Sequence, residues 1–146
     1  MLQHQTTLRV RYDECDPMGL VHHSNYLRYF EIARTELLRA SGGRYRDMEA
    51  AGQLVVVAHV DCRYRSPARY DDLITIDVEI TKVTAAKILH RYRVTRAANE
   101  SCETTELHDA TELCDATVTL AVVDRDGRLQ RVPESLVEAY ENRQAE

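Results

Sequence analysis

Hydrophobic and polar residues alternate with a period of two along five segments of the chain. A strand that buries one face produces this period, because successive side chains point to opposite sides of the sheet. The alternation predicts an antiparallel sheet with one buried face, since parallel sheets covered on both sides have continuous apolar runs. The residues predicted to point inward are Leu8, Val10 and Tyr12; Val56, Ala58, Val60, Cys62 and Tyr64; Ile74, Ile76, Val78 and Ile80; Ile88, Tyr92 and Val94; and Cys114, Ala116, Val118, Leu120 and Val122.

A different period begins at Asn25. Apolar residues there recur three or four positions apart, which is the spacing of one face of an amphipathic helix. Two glycines follow Ser41 and predict the end of this helix, because glycine accepts the left-handed conformation that closes a C-terminus. Shorter helices are predicted at residues 46–51 and from Pro133 to about Asn142. The predicted buried residues of the long helix are Tyr26, Tyr29, Phe30, Ala33, Leu37 and Ala40.

Length and composition favour a single domain spanning residues 1–146. The chain has 146 residues, of which 44% are hydrophobic, and this is enough for one core but too little for two. Neither a signal-peptide pattern nor an apolar run long enough to cross a bilayer is present, so we expect a soluble, cytoplasmic protein. The four cysteines show no CxxC spacing, so the sequence indicates neither a disulfide framework nor a zinc site. They are Cys15, Cys62, Cys102 and Cys114.

The net charge of -5 comes from one part of the chain. Residues 97–124 contain seven acidic residues and no lysine or arginine, whereas the remainder has 19 basic and 17 acidic residues. This balance argues against nucleic-acid binding, which favours a basic face. Within the acidic part, residues 99–112 are mostly polar and can bury little apolar surface, so we expect this segment to project from the sheet.

The loop before the long helix holds the residues with the clearest chemical potential. Asp16 is followed by Pro17 and Gly19, which favour irregular backbone, and then by polar residues where a helix can begin. The first backbone N–H groups of a helix have no partner within it and carry partial positive charge. The sequence therefore predicts a carboxylate close to a helix N-terminus. Without further context, however, an aspartate in such a loop is more often a turn residue.

Two segments carry a resemblance to a known family. Residues 16–27, DPMGLVHHSNYL, are followed on the helix by Phe30-Glu31 and by Arg34-Thr35-Glu36, and residues 64–73 read YRSPARYDDL. Together they resemble the signature of the 4-hydroxybenzoyl-CoA thioesterase family, particularly its YbgC-type acyl-CoA thioesterases. The resemblance implies an α+β hotdog fold, in which an antiparallel sheet of five to six strands wraps around one long central helix. It also implies an acyl-CoA substrate and homodimers that often pair into homotetramers.

Thioester hydrolysis needs a group that delivers or becomes the nucleophile, and a group that stabilises charge on the carbonyl oxygen. The resemblance assigns the carboxylate to Asp16, which would act as nucleophile or as general base. It assigns the carbonyl-polarising amide to the backbone N–H of His23, while Gly19 would let the loop approach the substrate. The departures from the family pattern are His22 for a common tyrosine, Ser24 for a common alanine and Met18 for a smaller residue.

Four further residues are candidates for contacts with the substrate: Tyr26, Arg65, Ser66 and Arg69. The two arginines could meet the phosphates of coenzyme A, although exposed arginines are often only surface residues. Tyr26 lies on the apolar face of the helix, where a place in the core is more common than a contact with a ligand.

Other assignments remain open from the sequence. Glu31 competes with Asp16, because other hotdog thioesterases carry their carboxylate on the central helix. His22 and His23 could suggest a metal, but no second cluster completes a site, so we expect no metal and no cofactor besides the coenzyme A of the substrate. The alternative function is a hotdog protein that binds an acyl thioester, or assembles with other subunits, without hydrolysis.

Overall fold

The computed structural model describes residues 2–97 and 110–144. Within these residues, three α-helices and six β-strands follow one another, and one 3-10 turn at Tyr12–Glu14 precedes the first helix. The strands are β1 Gln3–Arg9, β2 Leu54–Tyr64, β3 Leu73–Val83, β4 Ile88–Arg96, β5 Thr111–Val123 and β6 Leu129–Gln130. The helices are α1 Asn25–Ala40, α2 Tyr45–Ala50 and α3 Glu134–Gln144.

The strands form one antiparallel sheet in the order β1-β3-β4-β5-β2, and the short β6 pairs with β5. This arrangement confirms the prediction of an antiparallel sheet of five to six strands. The two edges are β1 and β2, and β2 pairs only with β5 within the described part of the chain.

The core lies between α1 and the inward face of the sheet. The buried face of α1 consists of Tyr26, Tyr29, Phe30, Ala33 and Leu37. The ring of Phe30 packs on that of Tyr92 in β4, with ring centroids 4.6 Å apart. The inward residues predicted for β3, β4 and β5 are all buried, which confirms the period-two prediction for these strands. His90 completes the inward row of β4 between Ile88 and Tyr92 and was not among the predicted core residues.

The inward row predicted for β2 is partly wrong. The pairing of β2 with β5 shifts between Val57 and His59, and Ala58 has no partner on β5. Such a bulge inserts one residue and moves every following side chain to the other face. Val55, rather than Val56 or Ala58, therefore packs on the core, whereas Val60 and Cys62 point inward as predicted.

The prediction also extended the first strand too far, to Tyr12. β1 stops at Arg9, and Tyr12 belongs to the 3-10 turn, where its side chain is exposed instead of pointing inward. The backbone leaves the sheet here because it turns into the loop that carries Asp16. Ala40, predicted as a buried helix residue, is exposed because it lies at the last turn of α1, next to the closing glycines.

The remaining predicted boundaries are close to the observed ones. The long helix ends before Ser41-Gly42-Gly43, and Gly42 has the positive φ of 85° that was expected there. The acidic segment predicted to project, residues 99–112, lies outside the described residues up to 109, while Thr111 and Glu112 already belong to β5. No helix of the described residues is long and apolar enough to span a membrane.

Candidate active site

A cavity of about 260 Å³ opens between the loop at Asp16, the N-terminus of α1 and the end of β2. Five of the seven predicted site residues line it: Asp16, His23, Tyr26, Arg65 and Ser66. These residues come from two chain segments about forty positions apart, and the fold brings them together. The other two predicted residues, Gly19 and Arg69, lie next to the cavity without lining it.

Asp16 holds its own loop in place with one carboxylate oxygen. Its Oδ1 accepts hydrogen bonds from the backbone N–H groups of Met18, at 3.0 Å, and Leu20, at 3.3 Å. Gly19, with a φ of 76°, closes the turn by donating its N–H to the carbonyl oxygen of Asp16. The Oδ2 atom has no hydrogen-bond partner within the described residues. Asp16 thus stabilises the turn through one oxygen and keeps the other available at a half-buried position.

The turn that begins α1 has one backbone N–H group without a partner among the residues that the structure describes. The N–H groups of His22, Asn25 and Tyr26 donate to backbone carbonyls, and the Ser24 N–H donates to the His22 ring. The N–H of His23 has no acceptor within the described part of the chain. Because an orphan N–H at a helix N-terminus favours negative charge, it is suited to an oxyanion.

The 3-10 turn fixes the position of this helix start. The carbonyl oxygen of Glu14 accepts the N–H of His22 at 2.9 Å and the side-chain amide of Asn25 at 2.8 Å. The loop that carries Asp16 begins only two residues after Glu14. The carboxylate and the helix start are therefore connected through a short, hydrogen-bonded piece of chain. The sequence did not single out Asn25 for this role, although its place at the helix start was the available signal.

Tyr64 lines the cavity and was also missed as a site residue. Its hydroxyl donates to the carbonyl oxygen of His23 at 3.1 Å. Its ring meets that of Tyr26 edge to face, with centroids 5.2 Å apart. Burial raises the pKa of Tyr26 to about 12. Both tyrosines are therefore neutral at physiological pH. Their rings form an apolar side of the cavity.

The two predicted phosphate-binding arginines have different surroundings. Arg65 forms ion pairs with Asp115, at 2.6 Å, and with Glu112, at 3.4 Å. The hydrogen bond with Asp115 raises the pKa of Arg65 more than any other interaction does. Arg69 is exposed, and its side chain forms no ion pair within the described residues. Its backbone bridges Leu20, which lines the cavity, so Arg69 lies beside the site with its charge free.

Glu31, the competing carboxylate, lies outside this cavity. Its side chain is exposed on α1 and is 3.7 Å from Arg34. No group of three or more histidine, cysteine, aspartate or glutamate side chains in the described residues is arranged to hold a metal ion. Among the described residues that line this cavity, Asp16 is the only carboxylate, and it lies with the side chains of His23 and Ser66.

Solved structures of thioesterases share the fold. The structure of 4-hydroxybenzoyl-CoA thioesterase from Pseudomonas sp. strain CBS-3 superposes with a TM-score of 0.80 at 22% identity, covering 94% of this chain and 99% of that one. The DHNA-CoA thioesterase from Staphylococcus aureus gives a TM-score of 0.85 at 23% identity, covering 99% and 93%. These likenesses confirm the predicted α+β hotdog fold.

Relatives of known name are more similar in sequence. The acyl-CoA thioesterase YbgC of Haemophilus influenzae is 34% identical over 118 residues, which are 80% of this chain and 78% of that protein. The acyl-CoA thioester hydrolase YbgC of Escherichia coli is 34% identical over 92 residues, 63% and 69% of the two chains. The predicted enzyme class, a thioester hydrolase, is confirmed. The sequence model of the thioesterase-like superfamily matches residues 10–140, and the chain belongs to this family.

Proposed function

We propose that the protein hydrolyses acyl-CoA thioesters, with Asp16 and the backbone N–H of His23 as its catalytic groups. The observation that carries the proposal is that these two groups line one cavity, with one carboxylate oxygen and one N–H left unpaired within the described residues. The names of the YbgC relatives support acyl-CoA as the substrate class. A protein that only binds a thioester has no need for a carboxylate beside its carbonyl group.

The reaction would run through a tetrahedral intermediate. Either Asp16 Oδ2 bonds to the thioester carbon, or Asp16 accepts a proton from a water molecule whose oxygen forms that bond. The carbonyl oxygen becomes an oxyanion and accepts a hydrogen bond from His23 N–H. The carbon–sulfur bond then breaks, and coenzyme A leaves as a thiolate. In the first route, a water molecule then cleaves the resulting anhydride, which releases the free acid and restores the Asp16 carboxylate. Neither route requires a resident cofactor.

Asp16→Asn tests this assignment, because the amide keeps the size of the side chain but is a poor base and a poor nucleophile. We expect at least about a hundredfold loss in kcat for acyl-CoA hydrolysis, roughly 3 kcal/mol of transition-state stabilisation. The matched control is Asp13→Asn, an exposed aspartate three residues earlier that pairs with Arg11. If Asp16→Asn retained turnover while Glu31→Gln lost it, the helix carboxylate would replace Asp16 in the mechanism.

We further propose that the protein assembles at least into a homodimer through β2. The outer edge of this strand of 11 residues has no partner within the described chain. A long open edge with exposed apolar side chains favours pairing with another chain. Val56 and Val57 supply such side chains. A second pairing of dimers would give the homotetramer expected from the resemblance.

A further inference from the structure

A second, larger cavity lies at the other end of α1. It has a volume of about 470 Å³ and is lined by residues of α1, α2, α3 and the sheet. Its size is within the range of about 300–1,000 Å³ typical of small-molecule sites. Most of its lining is aliphatic, with Leu37, Leu38, Val55, Ile88, Leu120 and Leu136 among the residues that form it.

This cavity is separate from the candidate active site. No residue lines both cavities. Arg34 is the first residue of α1 that lines the larger cavity. It lies nine residues after Asn25, the start of the helix, which corresponds to about 14 Å along the helix axis. The thioester cavity and this one therefore lie at different ends of the same helix.

The charges that line the larger cavity are all positive. Arg34 and Arg44 contribute to the lining, and no aspartate or glutamate of the described residues does. The side chain of Arg34 is only 12% exposed, and its single ion pair within the described residues is with the exposed Glu31, at 3.7 Å. The hydroxyls of Tyr45 and Tyr92 also lie close enough to interact with this guanidinium. A guanidinium has five N–H donors, so these neutral neighbours and one long ion pair leave its charge and some of its donors for an anion.

His90 gives an independent indication of an unfilled site. Its side chain is 4% exposed and lines the cavity, and its Nδ1 has no hydrogen-bond partner within the described residues. Buried polar atoms are rarely left without a partner. Burial, followed by the charge of Arg34, lowers the pKa of His90 to about 4, which agrees with a cationic Arg34 close to this ring.

We propose that this cavity binds a free aliphatic carboxylate, with its chain against the leucine and valine side chains and its head group on Arg34. An aliphatic body accounts for the apolar lining, and a carboxylate accounts for the two arginines and the absence of lining acids. Arg34 offers the planar pair of donors that a carboxylate accepts in bidentate fashion. The site is distinct from the thioester cavity and does not depend on the role of Asp16.

Binding of decanoate, measured by isothermal titration calorimetry below its micellar concentration, tests the proposal. We expect Arg34→Met to weaken decanoate binding by at least about tenfold, the value of a charge-assisted hydrogen bond. The matched control is Arg39→Met, because Arg39 pairs with Glu36 three residues earlier on the same helix but is 58% exposed. This control should bind decanoate as the wild type does. Equal affinity of the wild type for 1-decanol would contradict a carboxylate anchor.

A second variant keeps the test decisive if Arg34→Met fails to fold. Ala139 is an exposed residue of α3 that lines the cavity, so Ala139→Phe should fill it without removing a charge. Decanoate binding should then be lost. Competition with S-decyl-coenzyme A, a thioether that cannot be hydrolysed, identifies the site. We expect no displacement of decanoate, and displacement would mean that the cavity belongs to the thioester site.

Discussion

The Tyr64 hydroxyl donates a hydrogen bond to the carbonyl oxygen of His23 at 3.1 Å, and this contact joins the end of β2 to the turn that begins α1. The N–H of the same residue is the proposed oxyanion donor. Because the hydrogen bond restrains the backbone at His23, it restrains the direction of that N–H group as well. Tyr64 is therefore a positioning residue for the proposed reaction.

Tyr64→Phe should lower kcat for acyl-CoA hydrolysis by about three- to tenfold with little change in KM. One hydrogen bond of about 1 kcal/mol is lost, while the ring contacts with Tyr26 and His23 are retained. Steady-state kinetics measure the effect, and Tyr70→Phe, on an exposed ring, is the control. A loss as large as that of Asp16→Asn would mean that the Tyr64 hydroxyl takes part in the chemical step itself.

Arg69→Ala should raise the KM for an acyl-CoA more than Arg65→Ala does. The charge of Arg65 is engaged by Asp115 and Glu112, whereas Arg69 has no ion pair within the described residues. We expect Arg69→Ala to raise KM several-fold at low ionic strength. The rise should be smaller at about 0.5 M salt, because salt screens the attraction between exposed charges. If Arg65→Ala had the larger effect, the ion pairs of Arg65 would have to open when the substrate binds.

His90 should make the protein less stable as the pH falls from about 6.5 towards 4. Burial and Arg34 lower its pKa to about 4, so the unfolded state binds a proton in this range that the folded state does not. Stability from this group is fully present above pH 6.5 and is lost as the pH falls, by roughly 3 kcal/mol in total. Urea unfolding at pH 7 and pH 4.5 measures the loss, and His90→Gln should reduce it. An unchanged pH dependence in His90→Gln would assign the loss to other groups.

Val57→Lys should weaken the proposed dimer by at least about tenfold, because a charge would replace an apolar side chain at the β2 edge. Val57 is 48% exposed in the isolated chain, so the substitution should leave the fold of a single subunit intact. Analytical ultracentrifugation at micromolar concentration measures the assembly, with Leu129→Lys on the exposed β6 as the control. A wild-type protein that is monomeric and active under these conditions would contradict the assembly proposal.

Local patterns in the sequence determined most of the architecture. The inward rows of β3, β4 and β5 follow directly from period-two alternation, because a regular strand keeps the same phase along its length. The start of α1 at Asn25 and its end before Ser41 follow from helical spacing and from the glycines that close it. The two segments that carry Asp16 and Arg65 were recognisable from their residues alone.

How these parts meet depends on contacts between residues that are far apart in the sequence. The bulge at Ala58 changes which residues of β2 point inward. No local sequence pattern predicts this bulge, because it depends on the pairing of β2 with β5. The contact of Tyr64 with His23 joins residues 41 positions apart. The same holds for the large cavity, where Arg34 and His90 meet across a helix and a strand. The period of apolar residues indicates on which face of a helix or strand a side chain lies. Which residues of other elements it contacts depends on how those elements pack together.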